Sequence, residues 1–92
     1  MKVTVRYSAQ ARHAAGRAFE EIELGVPISI KALLAHLAEK NENGLRNLLV
    51  DANGNSRAAV LVFVNDEQMQ PGASDQIKDG DEVEILSPIS GG

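Results

Sequence analysis

The chemically distinctive residues of this 92-residue chain lie at its end, Ser87-Pro88-Ile89-Ser90-Gly91-Gly92. They follow an alternating segment, Glu82 to Leu86. Pro88 has no N–H with which to continue strand pairing. Residues 1–86 are therefore expected to form the folded unit, with 87–92 a flexible tail. The reactive group of such a tail is the α-carboxylate of Gly92. A carboxylate is a poor electrophile, because its leaving group would be an oxide. Adenylation by ATP replaces that with AMP, and a sulfur or amine nucleophile can then attack. An enzyme doing this takes the tail into a narrow channel. Residues without Cβ thread it, whereas a branched side chain at Gly91 or Gly92 would crowd the reacting carbon. The pattern suits an acyl or sulfur carrier, with the protein as handle and the terminus as reagent. Two named positions are both Gly by chance in roughly 0.5% of chains. The pair gains weight from its place directly after a strand of a small domain.

Other constellations fail. The chain has no Cys, which excludes disulfides, thiolate catalysis, Cys-based zinc sites and iron–sulfur clusters. A thiocarboxylate carrier needs no thiol of its own. His13 and His36 fall on different expected helices and read as solvated, so no metal site is expected. The carboxylates Glu20, Glu21, Glu23, Asp75, Asp79, Asp81, Glu82 and Glu84 fall on polar strand phases or at turns and read as a solvated face. Ser8 and Ser29 have no base at a recognisable spacing and read as helix caps; Ser56 likewise lacks a base. A net charge of −4 argues against nucleic acid as a partner. No apolar run reaches the length of a membrane span, and Arg6 interrupts the N-terminus before a signal-type stretch can form. A soluble, cytoplasmic single domain is expected.

The elements that must position the tail are legible in outline. Val3, Val5 and Tyr7 alternate with Lys2, Thr4 and Arg6, a strand with one wet face. Ser8 then caps a short Ala-rich helix that Gly16 ends in the left-handed conformation. Residues 18–24 form a second strand, antiparallel to the first. Ser29 caps a helix to residue 40, with Ile30, Leu33, Leu34 and Leu37 on one stripe. Ile28 is placed to staple onto Leu33, and Asn41, Asn43 and Gly44 end the helix. Leu45, Leu48 and Leu49 suggest one more helical turn or an irregular apolar segment. Residues 51–57 read as a polar loop or hairpin with an Asn-Gly turn. Residues 59–65 form an interior strand. Met69, Pro71 and Gly72 read as irregular connections, Ile77 as a plug into the core, and Asp79-Gly80 as a turn. Val83 and Ile85 point inward from the last strand.

This order fits an α+β domain of β-grasp architecture, a small mixed sheet covered on one face by one main helix. The first and last strands would be neighbours in the middle. One helix covers one face only, yet both phases of 60–64 are apolar. An exposed apolar patch is therefore expected at Leu86 with one of the two sets, either Leu61 and Phe63 or Val60, Val62 and Val64. Such a patch marks a protein interface unless the 66–76 loop covers it.

Over its full length the chain resembles the ubiquitin-like sulfur carriers of the MoaD/ThiS type. Val3 to Arg12 (VTVRYSAQAR) resembles the opening strand and short helix. Glu21 to Leu24 resembles the second strand, and Ile30 to Leu37 (IKALLAHL) the main helix. Val62-Phe63-Val64-Asn65 resembles the strand that ends in Asn, with Asp66 where Gly often follows. Lys78 to Val83 (KDGDEV) resembles the most specific internal motif. Residues 87–92 are similar to the terminal Pro-Pro-Val-x-Gly-Gly, with Ser87 for the first Pro. The resemblance implies a β-grasp fold and a ubiquitin-activating-type enzyme that uses ATP to adenylate Gly92, with Gly91 giving access. It also implies a thiocarboxylate filled by a sulfur donor protein. The length favours the molybdopterin or cysteine branch over the shorter thiamine carriers. The leading reading is the small, non-catalytic subunit of molybdopterin synthase, a co-substrate with no stably bound cofactor whose tail enters the large subunit. The partner interface would comprise Leu61, Phe63, Leu86, Pro88 and Ile89. Alternatives are a carrier for cysteine or thiamine biosynthesis, a ubiquitin-like protein modifier, and a plain β-grasp interaction module.

Overall fold

The computed structural model describes residues 1–40, 45–50, 52–53, 60–70 and 76–87. The chain runs β1 (Lys2–Ala9), α1 (Gln10–Ala15), β2 (Phe19–Glu23), β3 (Ile28–Ser29), α2 (Ile30–Lys40) and α3 (Leu45–Leu49). It continues with β4 (Leu61–Val64), β5 (Glu67–Met69), β6 (Gln76–Ile77) and β7 (Glu82–Ser87). Five strands form one sheet in the order β2-β1-β7-β4-β5, and β3 pairs with β6 in a two-stranded annex. The first and last long strands are parallel neighbours in the middle, with Val5 opposite Val83 and Tyr7 opposite Ile85. β1–β2, β4–β7 and β4–β5 are antiparallel. This is the expected β-grasp arrangement.

Period-two alternation explains why one face is dry. Val3, Val5, Tyr7, Val62, Val64, Val83 and Ile85 all share the inner side and are buried. α2 lays Ile30, Leu33, Leu34 and Leu37 into the same core, none more than 1% exposed. Each such side chain contributes on the order of 1.5–3 kcal/mol of burial. Ser29 Oγ accepts the Ala32 N–H at 3.1 Å, the expected N-cap. α3 is the extra helical turn, burying Leu45 and Leu49. Ile77 is 1% exposed, the expected plug.

Several expectations need correction. Ser8 is not a helix cap. β1 runs on through Ala9, and Ser8 Oγ instead donates to Glu84 Oε2 at 2.7 Å. α1 starts with no side-chain cap, although Gly16 does end it at φ 73°, its N–H donating to the Arg12 carbonyl. The connection at Met69 is partly a strand. Asn65 and Asp66, at φ 51° and 70°, form a two-residue turn that folds β5 back on β4. Both central residues of such a turn need positive φ, which Asn and Asp tolerate better than other non-glycine residues. Asp66 therefore preserves the turn that its replacement of Gly put in question.

Two carboxylates expected in solvent are buried. Asp81 is 6% exposed. It accepts the Lys78 N–H at 2.9 Å and an Asn65 amide proton at 3.1 Å, tying the β4–β5 turn to the turn before β7. Glu20, also 6% exposed, shares the inner phase with Ile22. It survives there because Tyr7 Oη donates to its Oε2 at 2.6 Å. Its Oε1 lies 3.0 Å from Lys40 Nζ and 3.7 Å from Arg17 Nη1, ion-pair contacts without hydrogen-bond alignment. The helix end at Asn41, Asn43 and Gly44, and Gly54 of the Asn-Gly turn, lie outside the described residues.

Candidate functional site

The outer face of the sheet is where the described residues of the expected interface meet. Leu86 on β7 stands directly opposite Leu61 on β4, and Ser8 on β1 flanks it on the other side. One step along, Phe63 faces Glu84, Glu84 faces Arg6, and Arg6 faces Phe19. Leu61, Phe63 and Leu86 are half-buried, while Val60, Val62 and Val64 are buried beneath them. The choice left open by two apolar phases thus falls on Leu61 and Phe63 as the outer set. The reason is register: inward Ile85 pairs with Val62, so the odd-numbered residues of β4 must point outward with Glu84 and Leu86.

Polar groups frame this apolar centre. Glu84 accepts the Ser8 hydroxyl hydrogen bond. Arg6 Nε lies 2.9 Å from Glu82 Oε1, with both side chains at least half exposed. Phe19, 60% exposed, closes the far edge. Sequence reasoning did not single it out, although its parity with Glu21 and Glu23, against Ile22, already put it outside.

β7 delivers the chain to Ser87, which is 4% exposed and opposite Ala9. There β1 turns into α1. Ala9 has φ 58° and ψ −130°, a conformation that costs a non-glycine residue on the order of 1–3 kcal/mol. β7 thus ends beside Leu86, against the residue from which α1 starts. Pro88, Ile89, Gly91 and Gly92 lie outside the described residues. No group of three or more His, Cys, Asp or Glu able to hold a metal ion occurs among the described residues. None of the described helices is long and apolar enough to cross a membrane.

The electrostatics separate the two faces. Burial pushes the Tyr7 hydroxyl well above its ordinary 10.0, and its hydrogen bond to Glu20 adds to this. For Glu20, burial alone would raise the carboxyl. The Tyr7 hydrogen bond and the charges of Lys40 and Arg17 outweigh it and hold the group below 4.5. Glu20 is a structural anion on the dry face, joining β1, β2 and the end of α2.

With this geometry in place, comparison with known proteins is decisive. The ThiS family model matches residues 5–92. The chain belongs to the ThiS family of ubiquitin-like sulfur carriers. A molybdopterin synthase sulfur carrier subunit from Chlamydomonas reinhardtii is 30% identical over 92 residues, covering both chains completely. The crystal structure of SAMP1 from Haloferax volcanii superposes with a TM-score of 0.84 over the whole of both chains at 20% identity, a likeness of fold. A Helicobacter pylori complex of subunits 1 and 2 of molybdopterin-converting factor contains a similar chain. That chain is 26% identical, fully covered in both directions, with a TM-score of 0.63.

Proposed function

We propose that this ThiS-family chain carries sulfur as a thiocarboxylate on Gly92 and delivers it as the small subunit of a molybdopterin synthase. The observation that carries the reading is the end-to-end match to a molybdopterin synthase sulfur carrier subunit. In the proposed sequence a Gly92 carboxylate oxygen attacks the α-phosphorus of ATP and pyrophosphate leaves. Sulfide supplied by a donor protein then displaces AMP, leaving –COS⁻. Transfer of that sulfur to the acceptor, with a water oxygen taking its place, restores the carboxylate. The chain is a co-substrate, and ATP belongs to the adenylating partner's chemistry. Its use of ATP fits a cytoplasmic setting. Gly91 keeps the approach to the carbonyl open. Leu61, Phe63 and Leu86 provide the apolar part of the docking face, with Pro88 and Ile89 continuing it. The Helicobacter pylori two-subunit complex supports a large-subunit partner.

The test is the mass of the C-terminal peptide after incubation with a matched adenylating enzyme, ATP and a sulfur source. Sulfur for oxygen adds roughly 16 Da, close to oxidation of Met1 or Met69, so the shift must be located on the peptide ending in Gly92. An ATP-dependent shift there, lost on deletion of Gly92 while the fold persists, is the expected result. An unmodified terminus with an enzyme active on its own carrier would overturn the reading. Stable binding to a purified molybdopterin synthase large subunit distinguishes this acceptor from that of a cysteine or thiamine pathway.

A further inference from the structure

The charges of this chain are segregated. All thirteen Asp and Glu residues lie at position 20 or later, while four of the nine Lys and Arg residues lie before it. The fold gathers part of that positive segment at one place. Ala9, Arg12, His13, Gly16, Arg17 and Ala18 line an open depression of about 580 Å³. Three small residues provide the space and three basic ones the walls. Arg17 is engaged on one side by the loose contact with Glu20. Among the described residues, the side chains of Arg12 and His13 have no hydrogen-bond or ion-pair partner, and both are exposed. Both sit in the last turn of α1, where the helix carbonyls favour cations. That helps explain why they are tolerated, but it leaves the outward charge of Arg12 unsatisfied.

The position gives the depression its meaning. Ala9, on its rim, is the register partner of Ser87. The five residues from 88 to 92 can span at most about 17 Å when fully extended. Any protein that holds the Gly92 carboxylate in an active site must therefore stand over this end of the sheet. Its surface meets a basic depression on a chain whose net charge is −4.

We propose that the Arg12–His13–Arg17 depression is a docking subsite for an acidic side chain of the enzyme that adenylates the tail. This rests on the carrier reading above. Arg12 is the principal contact, because it combines exposure, permanent charge and a planar donor set matched to a carboxylate. The subsite orients the carrier before the tail is threaded. On the outer face, Arg6 is already paired with Glu82. Opposite charges at a rim act on encounter and register more than on the depth of binding.

The experiment is ATP–pyrophosphate exchange by a matched adenylating enzyme, with the intact carrier as varied substrate at low salt. Arg12→Glu should raise the KM for the carrier by about 10-fold, with kcat changed less than about twofold. Arg12→Lys, which restores the charge but not the planar donor set, should recover part of the loss. Lys31→Glu makes the same charge change on an exposed residue of α2 outside the depression, and should leave KM within about twofold. The Arg12 effect should shrink near 0.5 M salt. Circular dichroism checks that each variant is folded. Equal KM for Arg12→Glu and wild type, or equal losses in Arg12→Glu and Lys31→Glu, would overturn the subsite and leave the carrier reading intact. No exchange with the wild-type chain, by an enzyme active on its own carrier, would remove the carrier reading and this inference with it.

Discussion

The two faces of the central sheet carry the same small device with opposite consequences. Neighbouring residues of β1 each donate a hydroxyl hydrogen bond to a glutamate on an adjacent strand. Tyr7 reaches Glu20 at 2.6 Å on the inner face, and Ser8 reaches Glu84 at 2.7 Å on the outer. Inside, the glutamate is taken from water, and the Tyr7 hydrogen bond with the nearby cations Lys40 and Arg17 favours its charged form. Its ionisation becomes part of folding. Outside, water and Arg6 surround the pair, and Leu61, Phe63 and Leu86 stand beside it without a covering helix. The same bond is structural where the dielectric is low and peripheral where solvent competes. One face holds the domain together, which frees the other to present apolar surface.

The largest effect that could break this contrast is expected from Glu20→Ala. It leaves the buried Tyr7 hydroxyl without its acceptor and should cost about 2–3 kcal/mol in urea unfolding. The cost stays below that of a fully buried ion pair, because Lys40 and Arg17 can turn to water. The pH dependence follows from the directions. The folded Glu20 pKa is depressed, so its contribution is present above about pH 4.5 and is lost as pH falls through the folded value. The folded Tyr7 pKa is raised, so its contribution is complete below about pH 10 and declines as pH rises beyond it. Stability should thus fall at both extremes. Glu20→Ala should flatten the acid limb and Tyr7→Phe the alkaline one. Unchanged limbs in both variants would remove the inner cluster from the stability balance.

Leu86→Asp sharpens the comparison from the other side. The residue is half-buried, so unfolding free energy should change by no more than about 1 kcal/mol. Affinity for a molybdopterin synthase large subunit should fall by about tenfold or more, read by titration calorimetry. Intact binding, or loss of the fold, would refute a docking role for this face. The smallest effect is expected from Ser8→Ala. Its bond to Glu84 is only partly buried, so the cost should be about 0.5 kcal/mol or less. A cost equal to that of Glu20→Ala would erase the distinction between the faces.

Much of this fold is legible in local sequence patterns. The stripe Ile30, Leu33, Leu34 and Leu37 needs only a 3.6-residue period, and Ser29 and Gly16 mark helix ends by local chemistry. Val83 and Ile85 needed only a period of two. What failed were residues whose state depends on distant partners. Ser8 reads as a cap because sequence shows its neighbour Ala9 but not Glu84, 76 positions away. Glu20 and Asp81 read as solvated because acidic residues on their own favour water. The Asn65–Asp66 turn lacks the glycine that usually announces it.

The site divides along the same line. The chemistry expected of the Gly91-Gly92 tail follows from residue type alone, since a carboxylate and two positions without side chains mean the same in any fold. Parity placed Phe63 with Leu61 and set Leu86 apart from Ile85, but it could not say which apolar phase of 60–64 faced solvent. Only the pairing of Val62 with Ile85 decided that, together with helices that bury their apolar residues on one side of the sheet. Likewise, Arg12 and Ser87 are 75 residues apart in the chain and come to one end of the molecule only because β1 and β7 run parallel. Local order is written in periodicity and backbone preference. Which faces are left open, and which charges meet, is decided by pairings between strands at opposite ends of the chain.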